Sequence, residues 1–118
     1  SNDAENFTTL IFDDGDDGSL KFDCYYDVGD ELLTTTTSWT AGEWYRVVIT
    51  HEEFSSTKRI YVNGVEENTS TFLCPHGAET RHSLGSINGS PWYFLHGTID
   101  EVRYYDRVLS AVEVANMY

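Results

Sequence analysis

Trp39, Trp92 and Tyr93 are the side chains best suited to hold a sugar. A flat aromatic ring stacks on the apolar face of a pyranose, and a few polar neighbours fix its hydroxyls. Trp92 and Tyr93 follow a polar loop, Asn88-Gly89-Ser90-Pro91. Loops at the ends of a rigid scaffold are where binding residues concentrate, and Asn88 would supply a polar contact there. Packing is the competing role for each ring. A second chemistry is written in Asp13-Asp14-Gly15-Asp16-Asp17-Gly18, where Asp13, Asp14, Asp16 and Asp17 set hard oxygen donors close together, as Ca²⁺ prefers. The run lacks the EF-hand loop and its terminal bidentate Glu. A hairpin tip kept soluble by charge is the competing reading.

Catalytic constellations are missing. A retaining glycosidase needs two carboxylates about 5–5.5 Å apart, commonly at alternate positions of one strand. No E-x-D-x-E run occurs, and the adjacent Asp100 and Glu101 would point to opposite faces of a strand. His51, His76, His82 and His96 follow neither zinc nor triad spacing. There is no G-x-S-x-G, no P-loop and no dinucleotide fingerprint, so the chain is expected to be non-catalytic. Cys24 and Cys74 fit neither a zinc site nor a C-x-x-C motif. A disulfide between them and two buried thiols are both consistent with the sequence.

Charge narrows the partners. Across 118 residues, 20 acidic side chains face 7 basic ones, a net charge of −13. Phosphate backbones are held by Lys and Arg, so nucleic acid is excluded as a partner. Residues 1–31 hold ten acids against Lys21 alone. That region is either a solubilising face or a contact for Ca²⁺ or a basic protein. At 40% hydrophobic and 14% aromatic, the chain is apolar enough to build a core. No apolar run approaches the ~18 residues of a membrane helix, so no insertion into a membrane is expected. Ser1–Glu5 has neither a basic nor an apolar stretch, so any signal peptide is expected to have been removed or never present.

The elements that must position these residues read as strand after strand. Phe7–Phe12 is rich in β-formers, and Ser19–Tyr26 alternates with period 2. The four threonines Thr34–Thr37 predict a strand over Glu31–Trp39. Glu43–His51 is the most apolar stretch and predicts a central strand with Trp44 in the core. Asn63-Gly64 between Lys58–Val62 and Val65–Thr71 predicts a hairpin, because a type I′ turn needs positive φ at both central residues. Arg81–Ile87, Trp92–Leu95 and Thr98–Tyr105 read as further strands. Only Ser110–Met117 reads as helix, with Ser110 as N-cap, Glu113 completing a capping box, and Leu109 and Val114 as a hydrophobic staple. Its Val112 and Met117 side would dock on the sheet, and Asp106-Arg107 before it would form an ion pair or turn lock. Turn signals every 8–12 residues imply an antiparallel sandwich or barrel, and no linker or repeat divides the chain.

Three stretches together have a family look. They are Gly42-Glu43-Trp44-Tyr45-Arg46-Val47-Val48-Ile49-Thr50, then Ile60-Tyr61-Val62-Asn63-Gly64, then Gly97-Thr98-Ile99-Asp100-Glu101-Val102-Arg103-Tyr104-Tyr105-Asp106-Arg107-Val108-Leu109-Ser110 with Glu113. In type, order and spacing they resemble the "G-x-W-h-x-V" strand, the "h-Y-V-N-G" hairpin and the closing segment of laminin-G-like, concanavalin A-like jelly rolls. The likeness covers residues 40–118 well and residues 5–38 more loosely. It implies an all-β fold: one antiparallel two-sheet jelly-roll sandwich with one short C-terminal helix. It also implies that Asp100 helps hold a structural Ca²⁺ with backbone carbonyls of early strands. The family usually begins with further strands, which residues 1–6 do not supply. A sheet lacking a strand leaves unpaired N–H and C=O groups, so a homodimer through the exposed edge is expected.

The sequence thus reads as a non-catalytic binding module, extracellular or cell-surface, with carbohydrate as its ligand. The alternative is a protein–protein adhesion or assembly module using its acidic face, and a more remote one is the remnant of a glycoside hydrolase. These are family-level readings, because one fold hosts many functions.

Overall fold

The computed structural model describes residues 7–12, 18–23, 31–52, 55–71, 81–84 and 97–117, with side chains over 18–22, 31–52, 55–71 and 97–117. Among the described residues seven strands and one helix follow in chain order: β1 Phe7–Phe12, β2 Leu20–Asp23, β3 Glu31–Leu33, β4 Val47–Glu52, β5 Thr57–Val62, β6 Val65–Ser70, β7 Arg81–Leu84 and α1 Ala111–Asn116. They form two sheets, one ordered β3-β2-β1-β7 and the other β4-β5-β6. The architecture is a two-sheet β-sandwich with one short C-terminal helix. Every described pairing is antiparallel except β1 with β7, which run parallel. A parallel pair needs a long crossover, and here the second sheet lies within it. No helix among the described residues is long and apolar enough to cross a membrane.

The two faces of β5 organise two cores. Side chains alternate across a strand, so Lys58 and Ile60 face one way and Arg59 and Tyr61 the other. Ile60 is fully buried against Phe22 and Leu32 of the first sheet, with Val47 and Ile49 packed around it. Full burial of such a side chain contributes roughly 1.5–3 kcal/mol. Tyr61, on the opposite face, is buried with Leu109 and the fully buried Val114 of α1, and Val48 and Met117 close the rim. The middle sheet is therefore covered on both faces.

This arrangement corrects several expectations. Trp44 is not core; it is 66% exposed. The strand it was expected to occupy begins only at Val47, so the alternation that would turn Trp44 inward never starts. β4 is also not central, since β5 lies between β4 and β6. Lys58 disguises β5 as polar in the sequence. Its side chain is fully buried, with Nζ donating to the Ser56 carbonyl at 2.9 Å.

The threonine run is not strand beyond Leu33. Thr34 continues the ladder through its N–H to the Leu20 carbonyl at 2.9 Å. Its hydroxyl then accepts from Leu20 N–H at 2.9 Å and donates to the Thr36 carbonyl at 2.8 Å. Hydroxyls that compete for backbone groups in this way end regular structure. Residues 98–105 form no strand either. Glu101 adopts φ 56°, and a left-handed residue breaks an extended run.

Local signals hold where a few neighbouring residues decide the geometry. Asn63 and Gly64 have φ 50° and 82°, as a type I′ hairpin requires, and they join β5 to β6. Ser110 Oγ accepts from Glu113 N–H at 3.2 Å, and Glu113 Oε1 accepts from Ser110 N–H at 3.1 Å, which completes the capping box of α1. The docked side of α1 is Val114 with Met117, whereas Val112 is 69% exposed. Arg107 pairs with Glu113 and not with Asp106. Its guanidinium forms a two-pronged contact of 2.9 and 2.6 Å. That contact, followed by the Ser110 backbone hydrogen bond, lowers the Glu113 carboxyl to about 2.

Candidate functional site

The aromatic corner between β3 and β4 is built from residues 39–46. Thr40 to Glu43 forms a turn, with Glu43 N–H donating to the Thr40 carbonyl at 3.2 Å and Gly42 at φ 86°. Trp39 and Tyr45 close that turn. Their rings meet edge-on, with centroids 4.9 Å apart and planes at 84°, a favoured aromatic geometry. Trp39 Nε1 donates to the Gly18 carbonyl at 2.7 Å, and Thr40 N–H donates to the Tyr45 hydroxyl at 2.9 Å. Gly18 is needed there: a Cβ on it would lie 2.2 Å from the Thr37 carbonyl oxygen.

One residue later Arg46 ties the corner to the rest of the domain. Its N–H donates to Asn63 Oδ1 at 2.9 Å, its carbonyl accepts from Asn63 N–H at 2.8 Å, and its guanidinium donates to the Met117 carbonyl. Trp44 sits between these anchored neighbours with its indole mostly in solvent. The backbone is thus held on both sides of Trp44, while the indole itself makes no hydrogen bond or ring contact among the described residues and presents a flat face with one N–H donor. Tyr45 and Arg46 provide the support, and both were legible only as strand residues.

A second feature lies on the other face of the middle sheet. An open cleft of about 550 Å³ is lined by Glu52, Arg59, Tyr61 and Glu66 on one side and by Val108–Ala111 on the other. Arg59 on β5 reaches diagonally to Glu66 on β6, Nε to Oε1 at 2.9 Å. Glu52 stands across from Thr57 at the far end of β4. Tyr61 and Leu109 give the cleft an apolar floor. Such a mixture of carboxylate, guanidinium and apolar wall is suited to polar ligands that carry both hydroxyls and a ring face.

The residues singled out in the sequence fall as follows. Trp39 is half-buried and engaged in the corner. Trp92, Tyr93, Asn88, Asp13, Asp14, Asp16, Asp17, Cys24 and Cys74 lie outside the described residues. Asp100 is exposed, and its Oδ1 accepts from Glu101 N–H at 2.8 Å. Ca²⁺ takes six to eight oxygens. Among the described residues no three His, Cys, Asp or Glu side chains are grouped to hold a metal, and the set expected of Asp100 draws on backbone carbonyls as well.

Residues 97–108 stand apart. Ile99, Val102, Tyr104, Tyr105 and Val108 are all exposed, by 42 to 75%. Arg103 is paired with Glu101 at 2.8 Å.

These features can be set beside known proteins. A crystal structure at 2.1 Å of an S-layer domain-containing protein from Clostridium thermocellum matches with a TM-score of 0.56 and 22% identity, over 95% of this chain and 63% of that one. The chain therefore spans less than two thirds of that structure, and the likeness is one of fold. A comparison with curated proteins finds no match. A family model described as the concanavalin A-like lectin/glucanases superfamily matches residues 1–115. With its two-sheet sandwich and capped C-terminal helix, the chain belongs to the concanavalin A-like lectin/glucanases superfamily, as a laminin-G-like member.

Proposed function

We propose that this domain is a non-catalytic carbohydrate-binding module that works at a cell surface or outside the cell. The observation that carries the reading is Trp44: a large indole, 66% exposed, on a turn fixed by Trp39, Tyr45 and Arg46. Leaving an indole in water forgoes the burial that would stabilise the fold. A backbone held on both sides of the ring lessens what must be ordered when a sugar stacks on it. The family description, which includes lectins, supports the same reading. The surface setting takes its support from the S-layer domain named in the similar structure.

Retardation of the chain in gels containing defined polysaccharides, beside a glycan array, tests the proposal. Binding to at least one glycan is expected, with loss in Trp44→Ala and retention in a variant with Asp13, Asp14, Asp16 and Asp17 neutralised. Retention of full binding by Trp44→Ala would remove the indole from the site. The opposite pattern, with loss only in the neutralised variant, would transfer the function to a basic protein partner.

A further inference from the structure

Asparagine stands before glycine at Asn63-Gly64 and at Asn88-Gly89, and the first pair lies among the described residues. Such a pair can react with itself, because glycine has no side chain to block its amide nitrogen from the asparagine Cγ. The Gly64 nitrogen bonds to Asn63 Cγ, the Cγ–Nδ2 bond breaks, and ammonia leaves with the proton given up by the Gly64 N–H. Water then opens the five-membered imide. Cleavage at Cγ yields ordinary aspartate. Cleavage at the backbone carbonyl carbon yields isoaspartate, in which the chain runs through Cβ. One water enters, one ammonia departs, and nothing is oxidised or reduced.

The fold withholds this chemistry. Ring closure aligns the Gly64 nitrogen with Asn63 Cβ about the Cα–C bond, a ψ of about −120° at a tetrahedral Cα. The type I′ turn of Asn63 and Gly64, at φ 50° and 82°, holds that ψ near +30°, roughly the mirror of a type I turn. The side chain is held as well. Asn63 Oδ1 accepts from Arg46 N–H at 2.9 Å, and Asn63 N–H donates to the Arg46 carbonyl at 2.8 Å. With the residue clasped at both groups the rotation is blocked, so the clasp must open first. Asn63 and Gly64 are half-buried, so water reaches the turn once it opens. The same clasp anchors the corner that carries Trp44. Aspartate would keep an oxygen for the Arg46 N–H, and a carboxylate accepts more strongly. Isoaspartate adds a methylene to a two-residue loop whose length sets the hairpin, so the two bonds cannot re-form in register. We propose that Asn63-Gly64 is a self-modifying site kept unreactive by its clasp on Arg46, and that its conversion to isoaspartate unties the corner that carries Trp44. This goes beyond the sugar reading and stands apart from it, since no readout of the test uses a ligand.

The experiment incubates the whole chain at mildly alkaline pH, with and without denaturing urea, and maps deamidation by mass spectrometry. In urea Asn63 and Asn88 are expected to convert at similar rates. The native chain is expected to slow Asn63 about tenfold or more, as opening against two hydrogen bonds implies. The Asn63 amide is expected to be protected from hydrogen exchange, and sub-denaturing urea to erode that protection and the slowing together. The isoaspartate product made in urea is then separated and refolded. It is expected to exchange fast at Arg46 and at Thr40, whose N–H meets the Tyr45 hydroxyl, with Val114 in α1 unchanged. Asn63→Asp brings the charge without the methylene and is expected to keep the native pattern. Equal rates at Asn63 with and without urea, slowing beside an unprotected Asn63 amide, or native exchange at Arg46 in the isoaspartate product would each overturn the proposal. Fast exchange at Val114 in that product would overturn it too, because the whole fold and not one corner would have been lost. So would loss of the clasp in Asn63→Asp, because charge and not chain length would then be the cause.

Discussion

Replacing Trp44 by alanine separates a fold built around the indole from one that merely displays it. Trp44 is 66% exposed, so about a third of its surface is removed from water. A tryptophan buries up to roughly 250 Å², which leaves about 80 Å² here. At about 25 cal/mol per Å² that is at most ~2 kcal/mol, an upper bound because unfolded chains already hide part of their surface. A core tryptophan truncated to alanine costs about 3–5 kcal/mol. For a domain of this size 1 kcal/mol moves Tm by about 4 °C. Trp44→Ala is therefore expected to lower Tm by no more than ~8 °C. Ile60→Ala, which empties the fully buried centre of the first core, is expected to cost about 2–5 kcal/mol. Urea titration with both variants, read for midpoint and slope, makes the comparison. A midpoint for Trp44→Ala as low as that for Ile60→Ala, or a chain that no longer folds, would refute the reasoning and return the indole to the interior.

Gly18→Ala would place a Cβ 2.2 Å from the Thr37 carbonyl oxygen at φ 84°. A loss of more than about 1 kcal/mol is expected, and an unchanged urea midpoint would contradict it. Glu67 holds Thr36 through its N–H at 2.8 Å and its hydroxyl at 2.5 Å. Glu67→Ala is expected to cost about 1–2 kcal/mol and to speed amide exchange at Thr36, and unchanged exchange would show that the clamp is idle. The Glu113 carboxyl titrates at about 2 in the folded chain against an ordinary 4.5, so its pairing stabilises the fold above the ordinary value. That contribution fades as pH falls from about 4.5 through about 2. Glu113→Gln is expected to flatten the stability–pH profile in that window, more at low salt than at high. Identical profiles would show that the contact with Arg107 adds nothing in solution.

What the sequence discloses depends on how far apart the deciding residues are. Asn63-Gly64 and Ser110 with Glu113 were legible because a turn or a cap is settled within four residues of chain. The sandwich was legible because period-2 runs and turn signals accumulate over the whole length. Trp44 was not, because its fate rests on where a strand begins. That point is fixed by Arg46 meeting Asn63, 17 residues away. Nor were the threonines, whose hydroxyl contacts with the backbone of Leu20 and Thr36 compete with a ladder that composition alone would favour. The centrality of β5 was hidden by Lys58, whose stem packs as an apolar side chain while its ammonium meets a carbonyl. Arg107 was assigned to the nearest acid in sequence, when the capped helix had already turned Glu113 towards it.

The two cores explain why so much apolar surface can remain outside. One closes with Phe22, Leu32 and Ile60, the other with Tyr61, Leu109 and Val114. Neither draws on Trp44 or on Ile99–Val108. The ties that join the cores, Arg46 to Asn63 and to the Met117 carbonyl, begin two residues after the indole and hold its turn in place. Under the proposed function, stability and recognition rest on different side chains. A domain built in this way can exchange its exposed rings for others, and so its ligand, while the buried set that specifies the sandwich stays as it is.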